Sequence, residues 1–349
     1  MTDRTSKPTE PTINQDLFLA QAREAADRLS ARSRRDFCVV IPAFNEAEMV
    51  ADLVRELRAG FEKYDLSGEV ILVDDGSTDG TGALAETQAA GWSDFRVVRH
   101  AVNLGKTEAM VTGSEATTRS AIVLFDADLQ HLPDEIPRFL AGLQDGFDIV
   151  TGRKVGAYDK RGVSSVYNRL SRRLFKVPVS DLNSMKAFRR EVILGLTLRH
   201  DWHRYFVVLA HAQGRSVTEI DIPLYPRRAG ESKFTGPWRI VIGVLDLLSV
   251  GFLLRFSGKP LMLFGTIGAL LLGSGVVTGL VAIWLRFGMG FGFRPLLYLV
   301  VLLVTVGVLL FGVGFMAEMV AQLRGEIGDL RRALARGERP PTSDSETHQ

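Results

Sequence analysis

Two stretches near the end of the chain, Pro260 to Leu285 and Pro295 to Ala317, contain no charged side chain. Each exceeds the roughly 20 residues needed to cross a bilayer, so the two read as a transmembrane helical hairpin. A short loop with Arg286 and Arg294 joins them. Arg255 and Lys259 before the pair, and Arg324, Arg331, Arg332 and Arg336 after it, place both ends on the cytoplasmic side. Gly265, Gly268, Gly273, Gly275 and Gly279 suit close packing of the hairpin with itself or with another subunit of a homo-oligomer.

This hairpin divides the 349 residues into unequal parts: a terminal segment at 1–35, a large domain at 36–236, a linking helix at 237–258, the hairpin at 259–321 and a polar tail at 322–349. Hydrophobic residues make up 46% of the chain and concentrate after residue 240, so the front is soluble and the back is not. In the linking helix Arg239, Gly243 and Asp246 form a narrow polar stripe, as in an amphipathic helix lying in the membrane interface. A net charge of +2 gives no global field for nucleic acid. The single cysteine, Cys38, excludes an internal disulfide and a cysteine-rich metal site, and fits a reducing compartment. Met1 to Pro11 is polar, without a signal-peptide core, and is expected to be disordered; Phe18, Leu19, Ala22, Ala25, Ala26 and Leu29 then recur at helical spacing on a helix whose partner the sequence leaves open.

From Asp36 strands alternate with helices. Phe37–Ile41, Glu69–Val73, Arg96–Val98, Ala121–Phe125 and Phe147–Thr151 are apolar runs, separated by helical stretches such as Val50, Leu53, Val54, Leu57 and Phe61. Continuous rather than alternating apolar strands imply an α/β fold with a mostly parallel, Rossmann-like sheet covered on both faces. Ligands bind beyond the carboxyl ends of such strands, where Glu46, Asp75, Asp126 and Arg153 fall. Pro42 stands where a dinucleotide fingerprint needs glycine, and the glycine that would open a phosphate loop before Gly105-Lys106-Thr107 falls at His100, so neither motif is present.

Asp126, Asp128 and Gln130 follow the fourth strand, with His131 and Pro133 next. If the chain stays extended there, residues two apart share a face and present a row of oxygens suited to a hard divalent cation. Acids after a strand also cap turns, and the company they keep decides between the readings.

That company is specific. Val40-Ile-Pro-Ala-Phe-Asn-Glu46, Val73-Asp-Asp-Gly-Ser-Thr-Asp79, Asn103-Leu-Gly-Lys106 and Asp126-Ala-Asp-Leu-Gln-His131, in this order, resemble the family 2 inverting glycosyltransferases of GT-A fold, and within them the dolichyl- or polyprenyl-phosphate sugar synthases. The resemblance covers about residues 36 to 235. It implies that Pro42, Ala43, Asn45, Glu46 and Asp75 hold the nucleotide of a nucleotide-sugar donor (UDP- or GDP-linked), with Lys106 beside it. It implies Mg²⁺ or Mn²⁺ on Asp126, Asp128 and Gln130, bridging the donor diphosphate.

A basic segment follows the fifth strand: Lys154, Lys160, Arg161, Arg169, Arg172, Arg173 and Lys176, interleaved with Leu170, Leu174 and Phe175. Such a mixture suits the headgroup level of membrane lipids. By resemblance, Arg153, Arg161 and Ser165 hold the phosphate of a polyprenyl phosphate acceptor, and Asp181-Leu-Asn-Ser184 lies beside the sugar, with Asp128, Arg153 and Asp181 as the catalytic set. Met185 and Lys186 depart from the Gly-Phe common at that point. Arg227 and Lys233, in Arg-Arg-Ala-Gly-Glu-Ser-Lys, resemble a loop that contacts the diphosphate. Trp202, His203 and Tyr205 form a cluster read as structural. The expectation is a membrane-bound enzyme on the cytoplasmic face of a bacterial inner membrane, making a β-linked polyprenyl-phosphate sugar. A processive synthase lacks its Gln-x-x-Arg-Trp mark here, and a non-catalytic membrane assembly protein would not need the acidic row.

Overall fold

The computed structural model describes residues 14–155, 178–226 apart from 180, 183, 197 and 199–201, then 251–252 and 259–335. The polar N-terminal stretch, most of the basic segment, the linking helix apart from 251–252, and the tail beyond 335 lie outside the described residues. The chain divides into two compact units, Met1–Ile242 and Gly243–Gln349.

The first unit is built on β1 (Phe37–Ala43), α2 (Ala47–Lys63), β2 (Glu69–Asp74), α3 (Thr81–Gln88), β3 (Phe95–Arg99), α4 (Lys106–Glu115), β4 (Ala121–Leu124), α5 (Ile136–Gln144), β5 (Ile149–Val155), β6 (Lys186–Arg189), α6 (Arg190–Leu194), α7 (Phe206–Ala212) and β7 (Val217–Pro223), preceded by α1 (Gln15–Arg28). The seven strands lie in the order β3-β2-β1-β4-β6-β5-β7. The β1–β2, β2–β3, β1–β4 and β5–β7 pairs are parallel, and β6 runs antiparallel between β4 and β5. The five expected strands are present. The fifth, however, begins two residues later and continues to Val155, because pairing with β7 carries it past the apolar run. Two further strands, β6 and β7, have no continuous apolar run to announce them.

Phe37, Val39, Ile41, Leu53, Leu57, Leu72, Val123 and Phe125 are buried in one core that also takes in Ala22, Ala25, Ala26 and Leu29 of α1. The partner of α1 is α5: Arg28 pairs with Asp145 at 3.1 Å, and Gln144 Nε2 donates to the Arg28 carbonyl. Helix α2 runs through Gly60, where a Cβ would stand 2.7 Å from the Pro133 side chain, so the missing side chain lets the helix approach the turn after β4. Burial, then the Glu69 charge, pushes the Cys38 thiol far above its ordinary value, which makes it an inert core residue.

The second unit contains α8 (Pro260–Gly288) and α9 (Arg294–Ala335). Spans of 29 and 30 residues, Pro260–Gly288 and Arg294–Leu323, have mean hydropathies of 2.0 and 2.9 and are long enough to cross a membrane. The helix containing the second apolar run continues past Ala317 to Ala335, since nothing in Glu318–Ala335 is a helix breaker apart from Gly325 and Gly328. Gly268 lies against α9 so closely that a Cβ would meet the Gly307 carbonyl at 2.7 Å, whereas Gly273 meets nothing within 4 Å. Glu318 accepts a hydrogen bond from the Leu261 backbone N–H at 3.1 Å and so satisfies one of the free donors at the start of α8.

Candidate active site

Pro42 and Ala43 are the last residues of β1, in register with Val73 and Asp74 of β2, so the two strands end side by side. The loops leaving them are tied together. Asn45, at φ 53°, donates from its backbone N–H to Ser77 Oγ and accepts at Oδ1 from the Thr78 N–H, both at 2.9 Å. The N–H of Glu46 donates to Thr81 Oγ1 at 2.9 Å, and that of Ala47 to Asp79 Oδ2 at 3.0 Å. Ser77 and Thr78 thus bond the neighbouring loop rather than α3, whose cap position is Gly80, while Asp79 accepts from the Thr81 N–H.

Asp75 is buried just beyond β2. Its Oδ1 accepts from the Leu104 N–H at 2.9 Å and from His100 Nδ1 at 2.7 Å, and its Oδ2 accepts from the Gly105 N–H at 2.8 Å. His100 Nε2 in turn lies 3.0 Å from Thr112 Oγ1. Asp75 therefore sets the turn that launches α4, and with it Lys106. Gly76, at φ 71°, makes this arrangement feasible: a Cβ there would lie 2.5 Å from the Val102 carbonyl carbon. The His100 contact is not legible from the residues alone, because nothing local links the end of β3 to the loop after β2.

The backbone after β4 does not stay extended. A turn forms at Ala127 and Asp128, and Leu129 takes φ 50°, burying its own side chain. Asp126, Asp128 and Gln130 are therefore grouped on a turn rather than aligned along a strand, and the Gln130 N–H donates to Asp128 Oδ1 at 3.3 Å. The turn is anchored from β7: His131 Nδ1 lies 3.1 Å from the Pro223 carbonyl, and the Tyr225 N–H donates to the Gln130 carbonyl at 3.0 Å. Burial, with the nearby Lys154 charge, depresses His131 to about 4, so it is neutral and Nδ1 is the donor.

Lys106 Nζ donates to Asp126 Oδ1 at 2.5 Å. Burial by itself would raise the Asp126 carboxyl; the Lys106 ammonium, helped by His131 and Lys154, more than offsets it and holds the group well below the usual carboxylate range. An ionised carboxylate already holding one cation, with Asp128 and Gln130 on the same turn, is a donor set that fits a hard divalent ion. Among the described residues no three His, Cys, Asp or Glu side chains converge as a complete cage, so such an ion would need oxygens from a ligand.

Arg153, expected at the acceptor phosphate, lies within β5. Its register partner on β7 is Asp221, to which Nε and Nη2 donate at 2.5 and 2.8 Å. Side chains alternate along a strand, so the next residue, Lys154, takes the opposite face. Its Nζ lies 3.7 Å from Asp181 Oδ2 and its charge is felt at Asp126. β5 thus offers two neighbouring cations, Arg153 on the face of Asp221 and Lys154 on the face of Asp181. Asp181 is itself fixed, with its N–H donating to Glu219 Oε1 and its carbonyl accepting from Thr151 Oγ1.

Lys186, the residue at which the chain departs from the common pattern, is fully buried on β6 and donates to the Leu182 carbonyl at 3.1 Å; burial pulls its pKa down to about 8. His203 is buried as expected, its N–H donating to Thr107 Oγ1 at 3.0 Å. Arg161, Ser165, Arg227 and Lys233 lie outside the described residues.

Residues 38–209 match the sequence profile of glycosyl transferase family 2. The chain is 32% identical over 301 residues to the dodecaprenyl-phosphate galacturonate synthase of Rhizobium johnstonii, covering 82% of this chain and 88% of the relative. It is 29% identical over 297 residues to the undecaprenyl-phosphate 4-deoxy-4-formamido-L-arabinose transferase of Pseudomonas fluorescens, covering 83% and 86%. A mycobacterial protein of solved structure superposes with a TM-score of 0.50 at 18% identity, over 67% of this chain and 78% of that one, and so shares the fold. With the strand-end loops, the acidic turn and the two apolar helices in place, these likenesses show that the chain belongs to glycosyl transferase family 2, and within it to the polyprenyl-phosphate sugar transferase type.

Proposed function

We propose that the protein, held in the membrane by α8 and α9, transfers a glycosyl group from a nucleoside diphosphate sugar to the phosphate of a polyprenyl phosphate at the cytoplasmic face. One observation carries the reading: two acid–lysine pairs, Lys106 with Asp126 and Lys154 with Asp181, lie at the carboxyl ends of the strands, close enough for the Lys154 charge to act on Asp126. A glycosyl transfer between two phosphates needs this mixture, with carboxylates to orient a sugar and a cation, and ammonium groups to hold phosphate oxygens.

In this reading the stitched loops at Asn45–Ala47 and Ser77–Thr81 receive the nucleoside, with Pro42, Ala43, Asn45, Glu46 and Asp75 forming its walls. Asp126, Asp128 and Gln130 hold Mg²⁺ or Mn²⁺. A bound divalent cation supplies neutralisation of the charge that develops on the departing nucleoside diphosphate. Lys154 positions the acceptor phosphate, assisted by Arg161 and Ser165, while Asp181 orients the sugar. Attack of a phosphate oxygen on the anomeric carbon, opposite the leaving diphosphate, inverts that centre and gives a β-linked product from an α-linked donor. Arg227 and Lys233 are assigned to the donor diphosphate. The sugar is left to experiment between the classes of the two relatives, an anionic uronate and an uncharged formamido pentose.

The test is incubation of full-length enzyme in detergent with polyprenyl phosphate and a panel of radiolabelled UDP- and GDP-sugars, followed by lipid extraction. A mild-acid-labile, β-linked lipid phosphate sugar from one donor is expected. Label entering only polymer, or no lipid product from any donor, would overturn the reading.

A further inference from the structure

The contact between Lys106 and Asp126 is difficult to reconcile with a carboxylate kept ready for a metal ion. Lys106 is the first residue of α4, and its position is set by the Asp75 hydrogen bonds to Leu104 and Gly105. Its ammonium is in direct contact with the one acid of the turn that follows β4 most closely, and the pair is about one-third exposed on each side. A metal ion seeking Asp126 must therefore displace an ammonium that is already there. Lys154 and Lys186 add positive charge nearby, which further disfavours a bare dication. The turn supplies too few acids to compensate alone, since no third His, Cys, Asp or Glu among the described residues completes the set.

A metal arriving with a nucleoside diphosphate changes the balance. The diphosphate brings its own oxygens and negative charge, so the cation can take Asp126 while the displaced ammonium finds a new acceptor without leaving the site. We infer that Lys106 is a place-holding counter-ion: its ammonium occupies Asp126 in the donor-free enzyme, excludes a divalent cation on its own, and passes to the donor diphosphate when metal and nucleotide arrive together. The inference deepens the proposed function and depends on its assignment of the cation to Asp126. Its consequence is thermodynamic. Metal and nucleotide must bind with positive coupling, and by linkage each strengthens the other by the same factor.

The inference reverses the sign usually expected for loss of a site residue. Removing Lys106 should strengthen binding of the bare ion, because Asp126 is freed, while weakening the coupling, because the contact of the ammonium with the donor diphosphate is gone. The experiment is Mn²⁺ binding to full-length enzyme in detergent, followed by loss of the free-ion electron paramagnetic resonance signal, without nucleotide and with saturating UDP or, in parallel, GDP. For the parent, nucleotide should tighten Mn²⁺ by about 5- to 100-fold, the ordinary range of coupling between sites. For Lys106→Met, bare Mn²⁺ should bind about fivefold more tightly than to the parent, as expected for release of one partly exposed ion pair, and the nucleotide effect should shrink. Lys106→Arg keeps the charge and should behave as the parent; Lys106→Gln removes it and serves if the methionine variant does not fold.

Unchanged or weaker binding of bare Mn²⁺ to both Lys106→Met and Lys106→Gln would overturn the inference. Asp126→Asn separates it from the assignment beneath it: if that variant binds Mn²⁺ with nucleotide as well as the parent does, the cation has been placed on the wrong residues and the proposed metal site fails, whatever Lys106 does.

Discussion

Arg153 and Lys154 are neighbours in sequence and occupy opposite faces of β5: the first gives both arms of its guanidinium fork to Asp221, the second reaches to within 3.7 Å of Asp181. The two substitutions should therefore separate. Lys154→Met is expected to reduce turnover with a short-chain polyprenyl phosphate by about 10- to 100-fold, the range for losing a hydrogen bond to a charged group. Arg153→Met removes a half-exposed ion pair and should stay within about threefold of the parent. Steady-state kinetics against the acceptor decide it, and a larger loss in Arg153→Met would return the acceptor role to Arg153.

Asp128 is the second acid of the turn after β4. Asp128→Ala is expected to lower transfer by more than about 100-fold and to abolish metal-dependent donor binding, while the fold is retained. Calorimetric titration of UDP or GDP with and without Mn²⁺, beside a melting curve, checks both halves. Full activity at saturating Mg²⁺ would remove Asp128 from the metal assignment.

Gly76 and Gly80 both have positive φ, but only Gly76 is crowded, with Val102 and Asn103 backbone atoms inside 3 Å of where a Cβ would stand. Gly76→Ala should cost about 2–5 kcal/mol, combining backbone strain with a clash that no side chain can relieve. Gly80→Ala should cost only the backbone part, about 1 kcal/mol. Denaturant midpoints measure the difference. Equal effects would mean that the 102–103 segment moves freely, and with it the Asp75 hydrogen bonds.

Burial raises the Glu135 carboxyl to about 7 despite the opposing pull of Arg138 beside it. The native state thus retains a proton that the unfolded chain releases near its ordinary value of 4.5. Stability from this group is present below that value and is lost as pH rises through about 7. Glu135→Gln removes the dependence, so its melting temperature should gain on the parent through this window and run parallel to it above. Parallel curves from pH 4 to 9 would show that Glu135 ionises normally against Arg138.

What the sequence made legible follows from how local each determinant is. Strands β1, β2 and β4 are continuous apolar runs because they are buried on both faces, and their Pro-Ala-Phe-Asn-Glu and Asp-Asp-Gly-Ser loops fix the ends. β6 opens with Lys186, and β7 interrupts Val217, Ile220 and Ile222 with Glu219 and Asp221, so neither carries an apolar run. Their existence depends on pairing with β4 and β5, which is non-local. The facing of Arg153 and Lys154 has the same origin. Facing alternates with each residue, so the face of a side chain near a strand end depends on where pairing stops, and the β7 partner that extends β5 to Val155 lies more than sixty residues away. The turn at Asp128 required Leu129 at positive φ, a conformation that its residue type disfavours and that burial of its side chain imposes.

Asp181 is the acid that a reader of this site would choose as a general base, and its surroundings argue for a different task. A hydroxyl acceptor must lose a proton as it attacks, so enzymes that use one place a free base near it. A phosphate monoester has its second pKa near about 6 and already carries most of its nucleophilic charge at neutral pH. A cation beside the acceptor lowers that value further. The Asp181 carboxylate is drawn toward Lys154, and its backbone is fixed by Glu219 and Thr151, an arrangement that holds a side chain in place to orient a sugar. Asp181→Asn should therefore keep the pH profile of the parent, with an acid limb set by ionisation of the acceptor phosphate, even as its rate falls. Turnover measured from about pH 5 to 9 at saturating donor and acceptor is the check. A new requirement for alkaline pH in the variant, relieved by added small-molecule bases, would show that Asp181 removes a proton after all.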